Sequence, residues 1–565
     1  MAERAESRQH ELDRRNLIKT LGLGAAAAGT GAAASPERVE AAAIVGPAMR
    51  RERDPARPRP EAPALPPISI IALNRMGFGP RPGDRAAFNA LGATPDDRLA
   101  AYVAQQLDPD SIDDSDVEAR IAAANYDSVD LSSDPDTYLQ ILWAWYINDD
   151  GAPGGRSSTG IPRDELIRAT FMRALYSKRQ LLEVLTGFWH DHFNVYIDRS
   201  SWVRATMPHL NLQLRTHALG NFRTMLELVA KSPSMLHYLD NYTSSNGGPN
   251  ENFSRELFEL HTLGSENYLG VMPQNEVPLD GANRPIGYVD ADVFEATRCF
   301  TGWSFSFGTE GDGDTGLFYY RSGWHDRFQK TVLGRFLPAD QPDLKDGRDV
   351  LNRLCSHPGT GRYIARKLCR KFIGDDPPQS VIDAAAAVFT AQWQAPDQIK
   401  QVMETILLSD EFKSTWGEKI KRPFEIAVSA LRAGNANFTM KMDHYDTSDF
   451  LWRYYGTGQW PYGWPAPNGY PDVRGAWKSM TPRVMSWRLC GWLVDFDNDN
   501  DHYYLNILGQ TPTSIRSANA LADFWIDRIL GREMDSEDGQ KIVDFMGQGI
   551  NPDFDLDFSD EDTTD

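Results

Sequence analysis

The sequence predicts a mainly α protein, with a single large helical domain, long Pro/Gly-rich and aromatic-rich loops, and at most a few short β strands. Three observations support this fold class. Apolar residues recur at helical spacing through most of residues 84–433. A Pro/Gly-rich loop at residues 264–289 separates two groups of helical segments, and no internal repeat is evident. With 565 residues, 41% of them hydrophobic and 11% aromatic, the chain is long enough to bury a large core.

Helices are predicted wherever apolar residues recur every three to four positions. The first group covers residues 84–91, 96–106, 117–124, 135–147, 163–176, 178–193, 211–218, 222–229 and 234–239. The second group covers residues 346–356, 361–372, 380–391, 396–408 and 423–433. Short β strands are expected around residues 304–307 and 317–320. The segment Asp292-Val293-Phe294-Glu295 has the shape of a capping box, so Asp292 is predicted to cap a helix.

The two ends of the chain differ in composition from the helical domain, which we assign to residues 67–545. Residues 1–34 are interpreted as a twin-arginine signal peptide, because Arg14 and Arg15 precede a short, weakly apolar Ala/Gly-rich run. A disordered basic tail is the alternative. Residues 35–66 are rich in Pro, Ala and Arg and are predicted to be a flexible linker. Residues 546–565 are assigned to an acidic tail. The protein is therefore expected to be exported, to the periplasm or beyond the cell.

Composition and missing motifs disfavour several classes of function. The formal net charge of −21 disfavours binding to nucleic acid or anionic membrane surfaces. No membrane span is expected, because no run of about 18 apolar residues follows the N-terminal segment. The four cysteines form no C-x-x-C pair, so we expect buried thiols with one bridge possible, and no structural zinc site. The chain also lacks the G-x-S-x-G, P-loop and H-E-x-x-H motifs.

The segment at residues 250–264 carries the densest set of chemical groups in the chain. Its sequence is Asn-Glu-Asn-Phe-Ser-Arg-Glu-Leu-Phe-Glu-Leu-His-Thr-Leu-Gly. Glu256 and Glu259 are three residues apart, so on a helix they share one face, beside an apolar stripe that should face the core. Two acids in that position are costly unless something cationic meets them. That partner is a metal ion, an arginine or a substrate.

These acids have a functional and a structural interpretation. The functional interpretation makes Glu256 and Glu259 ligands of a divalent metal ion, or a general acid and base. The structural interpretation is a network of ion pairs, in which Glu251 pairs with Arg255 four residues later and Glu256 meets an arginine from another helix. The candidate arginines are Arg298, Arg362 and Arg366.

His190 and His192 lie at the end of the predicted helix at residues 178–193. Residues two apart on a regular helix point about 200° away from each other, so both rings reach one ion only if the helix ends near Trp189. The functional interpretation makes both histidines metal ligands together with Glu256 and Glu259. The alternative is that one histidine is a core residue and the other caps the helix C-terminus.

A further candidate site lies at His325-Asp326, which is expected in a loop, with Lys330 close behind. Lys330 could hold a phosphate, a sulfate or a carboxylate there. We predict that His325, Asp326 and Lys330 are catalytic together with Glu256 and Glu259. The alternative is a hydrogen-bonded pin that fixes the loop.

Residues 452–487 contain nine tryptophans and tyrosines among several prolines. Aromatic side chains on a stiff, exposed loop could bind sugar rings. The alternative is that the stretch wraps the helical core and is buried against it.

Several segments of the chain resemble, in the expected order, motifs of the bacterial DUF 1800 family, a domain of unknown function. The most specific is residues 250–264, which resembles N-E-N-[FY]-x-R-E-L-x-E-L-x-T-L-G. The other matching segments are residues 74–80, 188–193, 292–303, 325–334, 357–368 and 421–432. The resemblance implies no established reaction. It implies an exported protein that tends to be encoded beside another exported family, DUF 1501.

Two hypotheses of different class follow from these observations. In the first, the protein is an exported, metal-supported and possibly hydrolytic enzyme that acts on a polysaccharide or another envelope or extracellular polymer. In the second, it is a non-catalytic export, assembly or binding factor that works with a DUF 1501 partner, and its charged motifs are buried networks that fix the fold.

Overall fold

The computed structural model describes residues 65–309, 311, 313–495, 503 and 505–556. The predicted signal peptide at residues 1–34 lies outside the described residues, as does the predicted linker except for its last two positions. Residues 557–565 of the predicted acidic tail also lie outside them.

The described residues form 24 α-helices, which confirms the predicted mainly α class. Before the first strand these are α1 Ile68–Arg75, α2 Asp84–Asn89, α3 Pro95–Gln106, α4 Ser115–Ala124, α5 Pro135–Tyr146, α6 Gly160–Tyr176, α7 Gln180–His192, α8 Ser201–His217, α9 Phe222–Lys231, α10 Pro233–Tyr238, α11 Asn252–Glu256 and α12 Asp290–Phe300. After the last strand they are α13 Lys345–Cys355, α14 Pro358–Phe372, α15 Gln379–Ala391, α16 Gln398–Leu407, α17 Asp410–Ser414, α18 Pro423–Ala433, α19 Tyr445–Tyr455, α20 Arg474–Trp477, α21 Met480–Val494, α22 Ile507–Gln510, α23 Ala518–Leu530 and α24 Ser536–Gly547.

Four short strands form two antiparallel hairpins. β1 Trp303–Phe305 pairs with β2 Phe318–Tyr320, close to the predicted positions. β3 Lys330–Val332 pairs with β4 Arg335–Leu337 and was not predicted, because strands of three residues carry too little alternation to recognise. The two-residue turn between them places Leu333 at φ 48° and Gly334 at φ 69°, as a tight β-hairpin turn requires.

Asp292 takes part in a helix cap, but from the third position of α12 and not from the N-cap position that the motif predicted, and it also holds this turn. The N-cap of helix α12 is Val289, three residues before the predicted N-cap, so Asp292 lies in the first turn. One carboxylate oxygen accepts the N–H of Val289 at 3.1 Å, which satisfies a free helix-end donor. The other oxygen accepts the N–H of Leu333 at 2.7 Å. Asp292 therefore ties the second hairpin to α12.

Helix α7 lies inside the domain and packs against α3, α6 and α8. From Gln180 to His190 its residues are all buried except Gly187. The buried apolar side chains of α7 belong to one large cluster that also contains residues from α1, α14 and α18. A helix surrounded in this way has little solvent-facing surface for its polar residues.

The described chain contains no helix that is both long enough and apolar enough to cross a membrane. All four cysteines are free thiols, and Cys299, Cys355 and Cys369 are buried. Burial raises the pKa of Cys355 and of Cys369 to about 12.

A buried ion network connects α7 to α14 and α18. Arg422 lies 2.6 Å from Asp191 and 3.3 Å from Glu425, and Lys371 lies 2.6 Å from Glu425. Burial alone would raise the pKa of Glu425, but the positive charges of Lys371 and Arg422 hold it well below its usual range. Glu425 also accepts the backbone N–H of Arg422 at 2.9 Å, at the start of α18.

We expect Glu425→Gln to lower the free energy of unfolding at pH 7 by about 3–5 kcal/mol, because it leaves two cations without their shared partner. A carboxyl group with a lowered pKa stabilises the fold above its unfolded pKa, and this contribution disappears as the pH falls. The deficit of the variant should therefore shrink below pH 4.5, the ordinary value for Glu425. Urea unfolding at several pH values measures it.

The matched control is Glu118→Gln, which changes an exposed glutamate on α4. It should leave the free energy of unfolding unchanged at every pH. A Glu425→Gln variant as stable as this control at pH 7 would contradict a structural role for the network.

Candidate functional site

The segment at residues 250–264 does not continue as a regular helix. Helix α11 ends at Glu256, and residues Leu257–His261 form a π-helical turn. Such a turn closes hydrogen bonds five residues apart and occurs often at functional sites. The side-chain hydroxyl of Thr262 also donates to the carbonyl of Leu257, at 2.6 Å, and so adds a bond across this turn. The wider turn places His261 in the core, where its exposed fraction is 0%.

Glu256 and Glu259 are half-buried, and within the described part of the chain neither forms an ion pair or a side-chain hydrogen bond. Burial raises the pKa of Glu256 to about 7, and the negative charge of Glu259 adds to this effect. At neutral pH the Glu256 carboxyl is therefore divided between its protonated and ionised forms.

The predicted ion-pair network is present only in part. Glu251 pairs with Arg255 at 3.4 Å, as the four-residue spacing predicts. Among the candidates for Glu256, Arg298 instead pairs with Glu295 and Asp326, at 2.9 and 2.8 Å. Arg366 pairs with Glu266. The ion-pair interpretation is therefore correct for Glu251. Glu256 has no ion pair among the described residues, and its pKa stays raised.

Three tyrosines surround the two acids. Burial raises the pKa of Tyr238, Tyr288 and Tyr363, and a nearby glutamate contributes at each: Glu256 at Tyr238, and Glu259 at the other two. The Tyr238 hydroxyl donates to the carbonyl of Pro465 at 2.7 Å. The acids therefore lie among aromatic rings, where a carboxylate is less well solvated than in water.

His192 and Lys367 form a second cluster next to this segment. Lys367 Nζ donates to His192 Nδ1 at 2.9 Å, so the other ring nitrogen, Nε2, carries the proton and donates to the carbonyl of His261 at 3.1 Å. Burial, together with the charge of Lys367, lowers the pKa of His192 well below its usual value. Burial lowers the pKa of Lys367 to about 8. Lys367 also lies 5.5 Å from the ring of Tyr363, which is itself near Glu259.

His190 points to a different side of α7. Its Nε2 accepts an N–H of Asn211 at 2.9 Å, and its ring lies 4.6 Å from the ring of Tyr462. Because α7 continues through His192, the two histidines diverge as regular helical geometry requires. They do not share one partner.

His325, Asp326 and Lys330 belong to a closed network. Asp346 lies 2.7 Å from Lys330 Nζ and 3.2 Å from His325 Nε2. Asp326 accepts two N–H groups of Arg298, at 2.8 and 3.1 Å. The side chain of Lys330 is 0% exposed. This arrangement supports the loop-pin alternative, because every charged group in it has a partner of opposite charge.

The predicted site residues thus occupy three places. Glu256 and Glu259 belong to the segment whose His261 carbonyl accepts a hydrogen bond from His192. His190 lies across α7, and the His325 network contacts neither group within the described residues. Lys367 was missed at the sequence level, although it lies in the segment at residues 357–368 that resembles the family.

The residues fit the predicted divalent metal ion only in part. Glu256 and Glu259 offer unengaged carboxylate oxygens, which suit a hard cation. Both ring nitrogens of His192 already form hydrogen bonds, and so does Nε2 of His190. Over the described residues, no three His, Cys, Asp or Glu side chains are placed to hold one ion. The metal ion stays a prediction from the sequence.

We expect Glu256→Gln to stabilise the protein at pH 8 but not at pH 4. A carboxyl group with a raised pKa contributes most to stability below its unfolded pKa, and that contribution is lost as the pH rises through about 7, its value in the fold. The glutamine keeps the shape and never ionises. Thermal unfolding from pH 4 to pH 9 measures the difference from wild type.

Glu251→Gln is the control, because it removes a paired glutamate from the same segment. It should not become more stable than wild type as the pH rises. If Glu256→Gln behaves like this control, the pKa of Glu256 is not raised.

Lys330→Met should lower the free energy of unfolding by about 3–5 kcal/mol, because it leaves the carboxylate of Asp346 without its buried cation. Lys541→Met is the matched control, since Lys541 is 63% exposed and its two acidic partners, Glu537 and Asp538, are exposed as well. Chemical unfolding of the two variants side by side is the measurement. Equal stability of both would argue against the loop pin.

Comparison with known proteins gives one match. The family model described as a protein of unknown function (DUF1800) matches residues 71–554. No curated protein and no solved structure matches the chain. The family model covers segments 250–264 and 357–368 together with most of the helical domain, and the chain therefore belongs to the DUF1800 family.

Proposed function

We propose that the protein is a hydrolytic enzyme that acts on an envelope or extracellular polymer, with Glu256 as its general acid. One observation carries the proposal: a half-buried glutamate without an ion pair among the described residues, whose pKa is raised to about 7. A general acid works best when its pKa lies near the operating pH. Enzymes obtain such a carboxyl group by burial and by a second acid nearby.

Glu259 supplies the second carboxylate in this proposal. It adds to the raised pKa of Glu256 through its negative charge, and it serves as the base that takes a proton from the attacking water.

A divalent cation between Glu256 and Glu259 is the second form of the same proposal. The support is that the described structure leaves both carboxylates without a cationic partner. A bound cation would lower the pKa of a coordinated water and so supply the nucleophile. In that case Glu256 is ionised at neutral pH, and the raised pKa belongs to the metal-free protein.

The proposed place of action rests on the N-terminal sequence. Arg14 and Arg15 lie in a motif typical of twin-arginine export, so we place the site of action in the periplasm or outside the cell. Polysaccharides are the polymers that we propose as substrates.

A second candidate function is a non-catalytic assembly factor that binds a DUF 1501 protein. The observation that favours it is the exposure of large aromatic side chains on two neighbouring helices. Trp452 on α19 is 71% exposed, and Trp487 on α21 is 76% exposed. Exposed tryptophans of this kind are frequent at protein interfaces.

Hydrolysis is tested with the full chain on dye-linked soluble polysaccharides, measuring released dye. We expect Glu256→Gln and Glu259→Gln to lose at least about 100-fold in rate, the usual contribution of a positioned acid or base. Glu251→Gln should keep the wild-type rate. The wild-type rate should fall as the pH rises above about 7, because Glu256 then loses its proton.

The metal-supported form is tested by elemental analysis of protein purified without chelators, and by the rate after chelation and re-addition of Mg²⁺, Ca²⁺, Mn²⁺ or Zn²⁺. Metal content that disappears in Glu256→Gln but not in Glu251→Gln supports it. Full activity of Glu256→Gln would contradict both forms. Binding of a DUF 1501 protein that Trp452→Ala weakens, with no hydrolysis, would favour the second candidate.

A further inference from the structure

A cleft lies between α2, α3, α4 and the turn that joins α6 to α7. The space in it that is open to the centre of a water molecule is about 520 Å³, which is room for a small molecule. Part of its wall is aromatic and includes Phe88, Tyr102 and Tyr176. No residue of the segment 250–264 lines the cleft, so it is separate from Glu256.

The wall of this cleft carries more positive than negative charge. Its cations are Arg81, Arg120, Lys178 and Arg432, and its carboxylates are Asp84 and Asp116. Arg432 lies 3.1 Å from Asp84, and Lys178 lies 4.0 Å from Asp116. For Arg81 and Arg120, the described residues provide no carboxylate within ion-pair distance. Two positive charges of the wall are therefore left without a counter-charge.

Neutral groups hold these two arginines in place. Arg81 donates to the side-chain oxygen of Asn435 at 2.9 Å and to two backbone carbonyls. Arg120 donates to the side-chain oxygen of Asn437 at 2.8 Å. Their Cζ atoms lie 5.1 and 4.2 Å from the ring centre of Tyr176, so the two Cζ atoms are at most about 9 Å apart.

The two guanidinium groups are close enough to repel each other. Burial lowers the pKa of Arg81, and the positive charge of Arg120 lowers it further, against the opposing effects of Tyr176 and Asp84. The contacts with the asparagines need hydrogen-bond donors but not positive charge. An anion near both guanidinium groups offsets their repulsion.

The wall also presents donors that lack an acceptor. Within the described residues, no hydrogen bond involves Nε of Arg81, Nε or Nη1 of Arg120, or the hydroxyl of Tyr102. None of these atoms is fully enclosed by the protein. Tyr102 is 8% exposed and lines the cleft. Carboxylate and phosphate groups offer several acceptors each and match such a wall.

We propose that this cleft binds the oxyanion group of a small organic molecule, a phosphate or a carboxylate, at Arg81 and Arg120, with Tyr102 as a further donor. Guanidinium groups bind both kinds of oxyanion through charge-assisted hydrogen bonds. One oxyanion fills only a small part of the cleft, so the rest of the ligand packs against its aromatic wall. Binding there does not depend on the hydrolysis proposed above.

The test is saturation-transfer difference NMR of the full chain with three probes: phenyl phosphate, benzoate and benzyl alcohol. The probes share an aromatic ring and differ in the group attached to it. We expect a signal for phenyl phosphate, for benzoate or for both, and none for benzyl alcohol at the same concentration. A signal for only one of the two anions identifies the oxyanion as phosphate or as carboxylate.

Arg120→Gln should raise the dissociation constant, measured by titrating this signal, by at least about tenfold, because it removes charge-assisted hydrogen bonds. The glutamine keeps a donor for Asn437. Arg98→Gln is the matched control. Arg98 is another partly exposed arginine, on α3, held by two backbone carbonyls, and it does not line the cleft. This control removes the same charge and should bind the anion as wild type does.

Tyr102→Phe is the milder change, which decides the matter if Arg120→Gln does not fold. It should weaken binding about fivefold, the effect of one hydrogen bond. Thermal unfolding without the probe should stay unchanged, because the hydroxyl has no partner among the described residues.

Circular dichroism establishes that the variants fold. The proposal is overturned if neither anion gives a signal, or if benzyl alcohol binds as tightly as the anions. It is also overturned if a folded Arg120→Gln variant binds like Arg98→Gln, or if Tyr102→Phe keeps the wild-type dissociation constant.

Discussion

The burial of helix α7 is the constraint on which the rest of the structure depends. Most polar side chains of a helix that is buried over nearly its whole length need partners inside the protein. His190, Asp191 and His192 are consecutive and therefore point in directions about 100° apart. Each meets a different element: His190 meets Asn211 on α8, Asp191 meets Arg422 before α18, and His192 meets Lys367 on α14. Three parts of the chain are thereby oriented around one turn of helix.

The contrast between paired and unpaired charges separates structural from functional groups. In the networks of Glu425 and of Asp346 each charge has a partner. The Glu425 network connects α7, α14 and α18, which are far apart in sequence, whereas the Asp346 network joins neighbouring segments. Glu256 differs, because burial and a second acid raise its pKa without a compensating cation. A buried carboxyl group without a paired cation lowers the stability of the protein. Groups of this kind occur most often at active sites and binding sites.

Much of the helical fold could be predicted from the sequence, because apolar residues recur at helical spacing in long amphipathic segments. The predicted helix at residues 178–193 corresponds to Gln180–His192, and the segment at residues 380–391 corresponds to Gln379–Ala391. Helix α8 begins ten residues before its predicted start, because Pro208 lies within it and proline normally marks a helix boundary. The aromatic stretch at residues 452–487 was expected to be loop, but much of it is helical.

The candidate site could be predicted only in part, for a physical reason. Spacing along the chain identified Glu256 and Glu259 and the divergence of the two histidines. It could not identify Lys367, because that contact joins residues 175 positions apart. It also could not reveal the π turn after Glu256, since the apolar pattern of residues 253–260 equally suits a regular helix.

The buried thiols are chemically unreactive as long as the protein is folded. Cys355 and Cys369 have a pKa of about 12, so almost none of either is thiolate, and the thiolate is the form that oxidants and alkylating agents attack. A folded molecule that reaches an oxidising compartment therefore keeps these sulfurs reduced without a reducing environment around it. These thiols become reactive only when the helices around them separate. The rate at which a reagent modifies them therefore measures how often the core opens.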